Sequence, residues 1–281
     1  MNFIISVLLL FGQGSLSVAD ALRTHTAAIV QVPTSAERRA AIVDSLKTMG
    51  VVATVREFTQ GTRTGANVVA TLASKSSSSS TVLLGAHLDR VNAGQGAIDN
   101  AASCAILLEL ARRLKAQPLE NLTVTIAFFD LEEAGLLGSG AYFQQMDATA
   151  RPSRAMNLDI FGYGDTFFVA PSQENSSLLA TFQRAATEAT FPVRTVPMTQ
   201  YPSSDHANMA RAGVETLALA IIDGPEIDAI GALGRGGARP RILTLIHTPN
   251  DTIEQIRPQD MAKALPVVER TLRLLDAAAR P

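Results

Sequence analysis

Five short apolar runs in this chain are each followed closely by a histidine or an acid: His87, Asp99, Glu133, Asp159 and His247, with a second carboxylate, Glu132, beside the third. Runs of this kind read as buried strands. A parallel or mixed sheet gathers the carboxyl ends of its strands along one edge, so residues far apart in the chain can meet in one crevice there. The feature therefore constrains the fold and the site together.

The remaining pattern agrees with an α/β chain. Val51 to Phe58, Ala66 to Leu72 and Thr81 to His87 are rich in β-branched and apolar residues and are separated by Gly-containing or Ser-rich connections, as strands are. The Ser76 to Ser80 run has no apolar anchor and reads as a flexible turn. Helices are expected over Ser35 to Met49, Ala101 to Lys115, Asn175 to Thr190 and Gln259 to Ala279, and further strands over Leu122 to Phe129, Ala155 to Asp159, Phe167 to Ala170, Leu217 to Ile222 and Ile242 to His247. Between Asp223 and Arg241, five glycines and two prolines predict a mobile loop over the crevice. Alternating strands and helices imply a central mixed sheet with helices on both faces, and 281 residues without an internal repeat suit one domain.

Composition excludes several partners. A net charge of −2 with no long basic run lacks the electrostatic footprint of a nucleic-acid binder, which points to a small-molecule or peptide substrate. One cysteine, Cys104, excludes an intrachain disulfide and a thiolate zinc cluster. Phe3 to Phe11 followed by Ala19-Asp20-Ala21 fits a secretory leader over residues 1–21, with cleavage after Ala21, export, and a mature domain over 22–281. No Lys or Arg precedes the run, which leaves a buried helix or an uncleaved anchor open; its length is short for a membrane span, so stable insertion is not expected. The sequence does not specify an oligomeric state.

Imidazole and carboxylate donors suit zinc when thiolates are absent, and a two-metal hydrolytic site needs about four to six of them, with one carboxylate bridging the ions. The five residues supply that inventory. Metal-bound histidines need acceptors that fix their tautomers: Asp89 follows His87 by two residues and Asp251 follows His247 by four, and both are assigned to that orienting role. Glu132 and Glu133 are adjacent and diverge, so Glu133 can coordinate while Glu132 accepts a proton from water and passes it to a leaving amine. Taken singly, each acid has a plainer reading: Asp99 with Asn100, and Glu132 with Glu133, precede helices, where acids cap and favour the dipole. Their joint occurrence tips the balance.

Gly85-Ala-His-Leu-Asp89, Gly96-Ala-Ile-Asp-Asn-Ala101, Phe128-Phe-Asp-Leu-Glu-Glu133, Asn157-Leu-Asp159 and His247-Thr-Pro-Asn-Asp-Thr252 occur in an order that resembles the M28 family of zinc aminopeptidases, over roughly residues 27–275. The resemblance implies Asp99 as the carboxylate bridging two zinc ions, Glu133 and His247 on one ion, His87 and Asp159 on the other, and Glu132 as general base. Tyr201-Pro-Ser-Ser-Asp-His206 resembles the family's loop in which a tyrosine donates to the oxyanion, which implies that role for Tyr201 and leaves His206 near the substrate pocket. The chain departs from the family pattern in a short connection from His87 to Asp99 and in Ile98, where many members have a second aspartate.

Two other readings compete. Glutaminyl cyclases share the fold and related motifs, commonly with one zinc, but surround their substrate with tryptophan, and this chain has none and carries Ile246 before His247. A non-catalytic receptor module on the same fold would have no need of the five ligands and the base. Gly94-Gln-Gly96 does not continue into a dinucleotide fingerprint, and Gly138-Ser-Gly140 lacks a nucleophile-elbow spacing.

Overall fold

In a computed structural model describing residues 16–76, 80–233 and 236–279, the apolar runs become an eight-stranded mixed sheet of order β1-β2-β4-β3-β5-β8-β6-β7. The strands are β1 (Ala53–Gln60), β2 (Arg63–Leu72), β3 (Ser80–His87), β4 (Leu122–Phe129), β5 (Arg154–Leu158), β6 (Thr166–Pro171), β7 (Val193–Thr195) and β8 (Glu215–Ile222). β4, β3, β5 and β8 run parallel at the centre, while β1 and β2 on one flank and β6 against β8 on the other are antiparallel. After β3 the chain adds β4 on one side and then returns to add β5 on the other. The carboxyl ends of β3, β4 and β5 therefore frame the point where strand order reverses, which is where open α/β sheets hold their ligands.

Nine helices complete the described residues: α1 (Val18–Val30), α2 (Ser35–Thr48), α3 (Ala102–Ala116), α4 (Leu137–Gln144), α5 (Ser177–Glu188), α6 (His206–Arg211), α7 (Gly224–Ala232), α8 (Ile242–Leu245) and α9 (Pro258–Ala278). Strand alternation sorts the core into two layers. Val82, Leu84, Ile126 and Phe128 face the layer of α3 and α9, whereas Leu83, Ala127 and Phe129 face α4 and α6 with Tyr142 and Met209. The second layer is thin enough that Gly85 is required in β3, since a Cβ there would lie 2.6 Å from the Met209 methyl and 2.7 Å from the Phe129 ring. Helix α2 starts with a capping box in which Thr34 and Glu37 satisfy each other's backbone N–H groups.

Two expectations are corrected. The predicted strand Ile242 to His247 is instead α8 followed by an extended Ile246 and a left-handed His247 at φ 57°. A short apolar run carries no period that separates strand from helix, and this one is apolar because Ile242 and Leu245 are buried under the sheet edge rather than paired within it. The expected mobile loop over Asp223 to Arg241 begins as helix α7, with Pro225 in its first turn, where the missing N–H is no loss. Residues 1–15 of the expected leader lie outside the described residues, as do 77–79 of the serine run; Ala19-Asp20-Ala21 lie in the first turn of α1, whose N-cap is Ser17.

Candidate active site

His87 is the last residue of β3, and its side chain is held almost wholly out of solvent. Its Nε2 lies 3.1 Å from Asp99 Oδ1 and 3.5 Å from Asp159 Oδ1, while Nδ1 faces Asp89 Oδ1 at 3.5 Å. Asp89 also accepts the backbone N–H groups of Glu132 and Glu133 at 3.0 and 3.1 Å, so it ties the segment after β4 to the end of β3. Asp99 turns its other oxygen to His247, with Oδ2 3.1 Å from Nε2, and Glu133 Oε2 lies 3.1 Å from the same nitrogen. Asp99 thus stands between two histidines.

The ligating atoms of His87, Asp99 and Asp159 fall within 4.8 Å of one another, and so do those of Asp99, Glu133 and His247. A third such group, His87 with Glu132 and Glu133, puts Glu132 at the boundary between them. All six site residues read from the sequence in this cage are therefore brought together. The role given to Asp251 changes. Rather than reaching His247, its carboxylate accepts the N–H groups of Ala97, Ile98 and Asp99 at 2.9, 2.7 and 3.1 Å, fixing the loop that presents Asp99.

The electrostatics show a cage with too many carboxyls for its dielectric. Burial, reinforced by Asp159, Asp205 and Asp99 against the opposing pull of His87, pushes Glu132 up to about 9. Burial and then Asp99 raise Glu133 to about 7, and burial raises Asp205 to about 7 and, against the loop N–H groups, Asp251 to about 6. For Asp99, burial is outweighed by His247 and His87, which hold its carboxyl well below the usual range. For His87, burial is in turn outweighed by Asp159, Asp89 and Asp99, which raise it. Glu133 Oε1 is buried with no hydrogen-bond partner. A nitrogen and oxygen donor set, a surplus of buried negative charge and an unpartnered carboxylate oxygen all fit zinc cations.

Beside Asp159 opens a cavity of about 90 Å³ lined by Ile160, Phe168, Tyr201, Ile242, Leu243 and Ile246, among other apolar groups. Tyr201 stacks on Phe168 at 4.5 Å between ring centroids and meets His206 edge-on at 5.5 Å. Burial, with Asp159 nearby, raises its phenol well above the ordinary value, which keeps the hydroxyl a donor. His206 does not join the cage; burial depresses it to about 4. Sequence reading missed the cavity, whose walls come from six separate segments; it took Asn100 only as a capping residue beside Asp99, and it missed Arg38. Arg38 is fully buried in α2 and donates to Gly96 O at 3.1 Å, bracing the loop before Asp99. No spacing signal marks it.

The family model of peptidase family M28 matches residues 67–271 of the chain. Among curated relatives, aminopeptidase YwaD of Bacillus subtilis is 30% identical over 189 residues, covering 65% of this chain and 38% of the relative. A probable leucine aminopeptidase of Arthroderma otae is 31% identical over 192 residues, covering 64% of this chain and 50% of the relative. The chain thus spans half or less of the length of these two relatives. The solved structure of BSAP, a zinc aminopeptidase from Bacillus subtilis, superposes with a TM-score of 0.64 at 25% identity over 76% of this chain and 51% of that one. Porphyromonas gingivalis glutaminyl cyclase gives 0.72 at 20% identity over 92% of this chain and 100% of that one, a likeness of fold.

Proposed function

The chain belongs to peptidase family M28, and from that premise we propose that it is a zinc-dependent aminopeptidase that removes an apolar amino-terminal residue from peptides. The observation that carries this reading is the pair of ligand groups sharing Asp99, with Glu132 at their boundary and an apolar cavity opening beside Asp159. His87, Asp99 and Asp159 would hold one zinc ion, and Asp99, Glu133 and His247 a second. When bound there, zinc would supply Lewis acidity that polarises the scissile carbonyl and makes water acidic enough to deprotonate near neutral pH.

The protein's own groups divide the remaining work. Glu132 takes a proton from the water as its oxygen adds to the carbonyl carbon, and returns that proton to the amine nitrogen as the C–N bond breaks. Its carboxyl, pushed up to about 9 in the acid-crowded cage, becomes a base only with that negative charge neutralised by cations. The Tyr201 hydroxyl donates to the developing oxyanion, and Tyr201→Phe is expected to lower kcat by about 10²-fold, on the scale of losing one such donor. The cavity beside Asp159 has isoleucine, leucine and aromatic walls and suits an aliphatic or aromatic first side chain.

The test compares release of amino acid from leucyl, lysyl and aspartyl anilides by the zinc-loaded protein. Rapid leucyl cleavage that is lost on chelation and restored by zinc is expected. Pyroglutamate formation from glutaminyl peptides without amino-acid release would instead establish a cyclase. Export is part of the same proposal, supported by the leader pattern at residues 1–21; among the described residues no helix is long and apolar enough to cross a membrane.

A further inference from the structure

Asp159 sits just past the end of β5, the strand that pairs with β8. Its own N–H is taken by Leu219 O at 2.9 Å. The Leu158 carbonyl and the Ile160 N–H flank it, Ile160 O still accepts the Ile221 N–H of β8 at 3.0 Å, and Ile160 is a β-branched residue in the left-handed region at φ 63°. Such a backbone is rare for a residue of this shape and holds only where its surroundings fix it. What meets those flanking groups is one side chain. Asn100 is fully buried, donates from Nδ2 to Leu158 O at 3.0 Å, and accepts the Ile160 N–H at Oδ1 at 3.2 Å. It brackets Asp159 on both sides.

We propose that Asn100 is a positioning residue that fixes the carboxylate of Asp159, and with it the ion shared by His87 and Asp159, without touching either ion. The dipeptide Asp99-Asn100 then serves both partners at once. Asp99 turns its oxygens to His87 and His247, while Asn100 reaches the other way and sets the backbone from which Asp159 projects. An amide is the group the geometry asks for, because one neighbour is a carbonyl and the other an N–H. A carboxylate can accept from Ile160 but cannot donate to Leu158, and an apolar side chain can do neither. Ile160 also lines the apolar cavity, so the same contact aligns the cavity wall with the ligand.

The inference rests on the proposal that His87, Asp99 and Asp159 hold one of two ions. The experiment is a stepwise chelator competition on the zinc-loaded full chain, with zinc counted at each step, for wild type, Asn100→Asp, Asn100→Ala and, as reference, Asp159→Asn. The Asn100 variants are expected to weaken one ion by about tenfold or more while the other stays within about twofold, on the scale of losing a group that orients a ligand. The weakened ion should be the one lost in Asp159→Asn. In the cobalt-substituted protein, only that step should change its visible absorption. Placing Ile160→Gly in the Asn100→Ala background should restore part of the affinity, since glycine adopts the left-handed backbone unaided.

Wild-type affinity for both ions in the variants, or equal weakening of both, overturns the inference. So does loss of the fold in both Asn100→Asp and Asn100→Ala, because a group acting on Asp159 alone leaves the sheet intact. A wild-type protein that binds no zinc defeats the metal reading beneath it, which is a different result from two ions that ignore Asn100.

Discussion

Glu215 and Glu132 are both glutamates held mostly away from water, and they have opposite fates. At the amino end of β8, burial raises the Glu215 carboxyl but the Leu178 N–H, the Ser176 hydroxyl and Arg154 outweigh it, leaving it below the usual range. Glu109 in α3 is treated alike: burial is overcome by Arg112 and Arg113, each within 3.0 Å of its oxygens. At the carboxyl edge the same residue type is pushed up, to about 9 for Glu132 and about 7 for Glu133. The first arrangement is complete in itself. The second is a set of acids without their counter-charge, and the difference marks where the chain expects a cation.

The sharpest way to break this comparison is Glu132→Gln. If the carboxyl is the base, kcat falls by about 10²–10⁴-fold, the range for losing a positioned general base. Zinc content should stay at the wild-type value, and the metal-free variant should melt no lower than wild type, because an amide of the same shape removes a carboxyl that its neighbours repel. A variant that loses zinc, or that melts well below wild type without it, would put Glu132 among the compensated acids.

A second effect concerns the cage as a whole. Zinc at about one hundred times its dissociation constant should stabilise the folded chain by about 2.7 kcal/mol per site, or a rise in Tm of roughly 5–10 °C for a chain of this size. Glu133→Gln should remove much of the increment belonging to the ion it would share with His247, and Glu215→Gln none of it. Calorimetric scans with and without chelator separate the two.

How much of this was legible beforehand follows from what each residue answers to. His87, Asp99, Glu132, Glu133, Asp159 and His247 follow apolar runs, and that position survives in the fold even though the run before His247 is α8 rather than a strand. A side chain needs only the end of an element at the right place to reach the cage, so the error in element type left the cluster of these groups intact. Asp251 was assigned by proximity to His247, and proximity in sequence misled: the chain turns after Thr248, and the carboxylate reaches the N–H groups of residues 97–99 instead. Asn100 and Arg38 answer to backbone carbonyls and amides, which exist at every position and leave no trace in residue type. The apolar cavity was illegible for a related reason, since its walls at Ile160, Phe168, Tyr201 and Ile246 belong to segments whose meeting only the folded sheet decides.

The smallest expected effect tests the other side of the comparison. Glu215→Gln removes a charge that accepts from Ser176, Ser177 and the Leu178 N–H, and that pairs with Arg154 at 3.1 Å. One hydrogen bond to a charged group contributes roughly 1.5–3 kcal/mol; glutamine keeps part of the acceptor role, and the half-exposed Arg154 partner screens part of the charge, so a loss of about 1–2 kcal/mol at neutral pH is expected, with kcat unchanged. The pH dependence fixes the cause. Because the folded-state pKa lies below the ordinary glutamate value of 4.5, the carboxylate's contribution is complete above that value and fades as the pH falls through the folded pKa. The gap in Tm between wild type and Glu215→Gln should therefore be constant from neutral pH down to about 5 and close below it. A gap that persists unchanged into acid would mean that Glu215 stabilises by its shape, and that its contrast with Glu132 is not one of charge compensation.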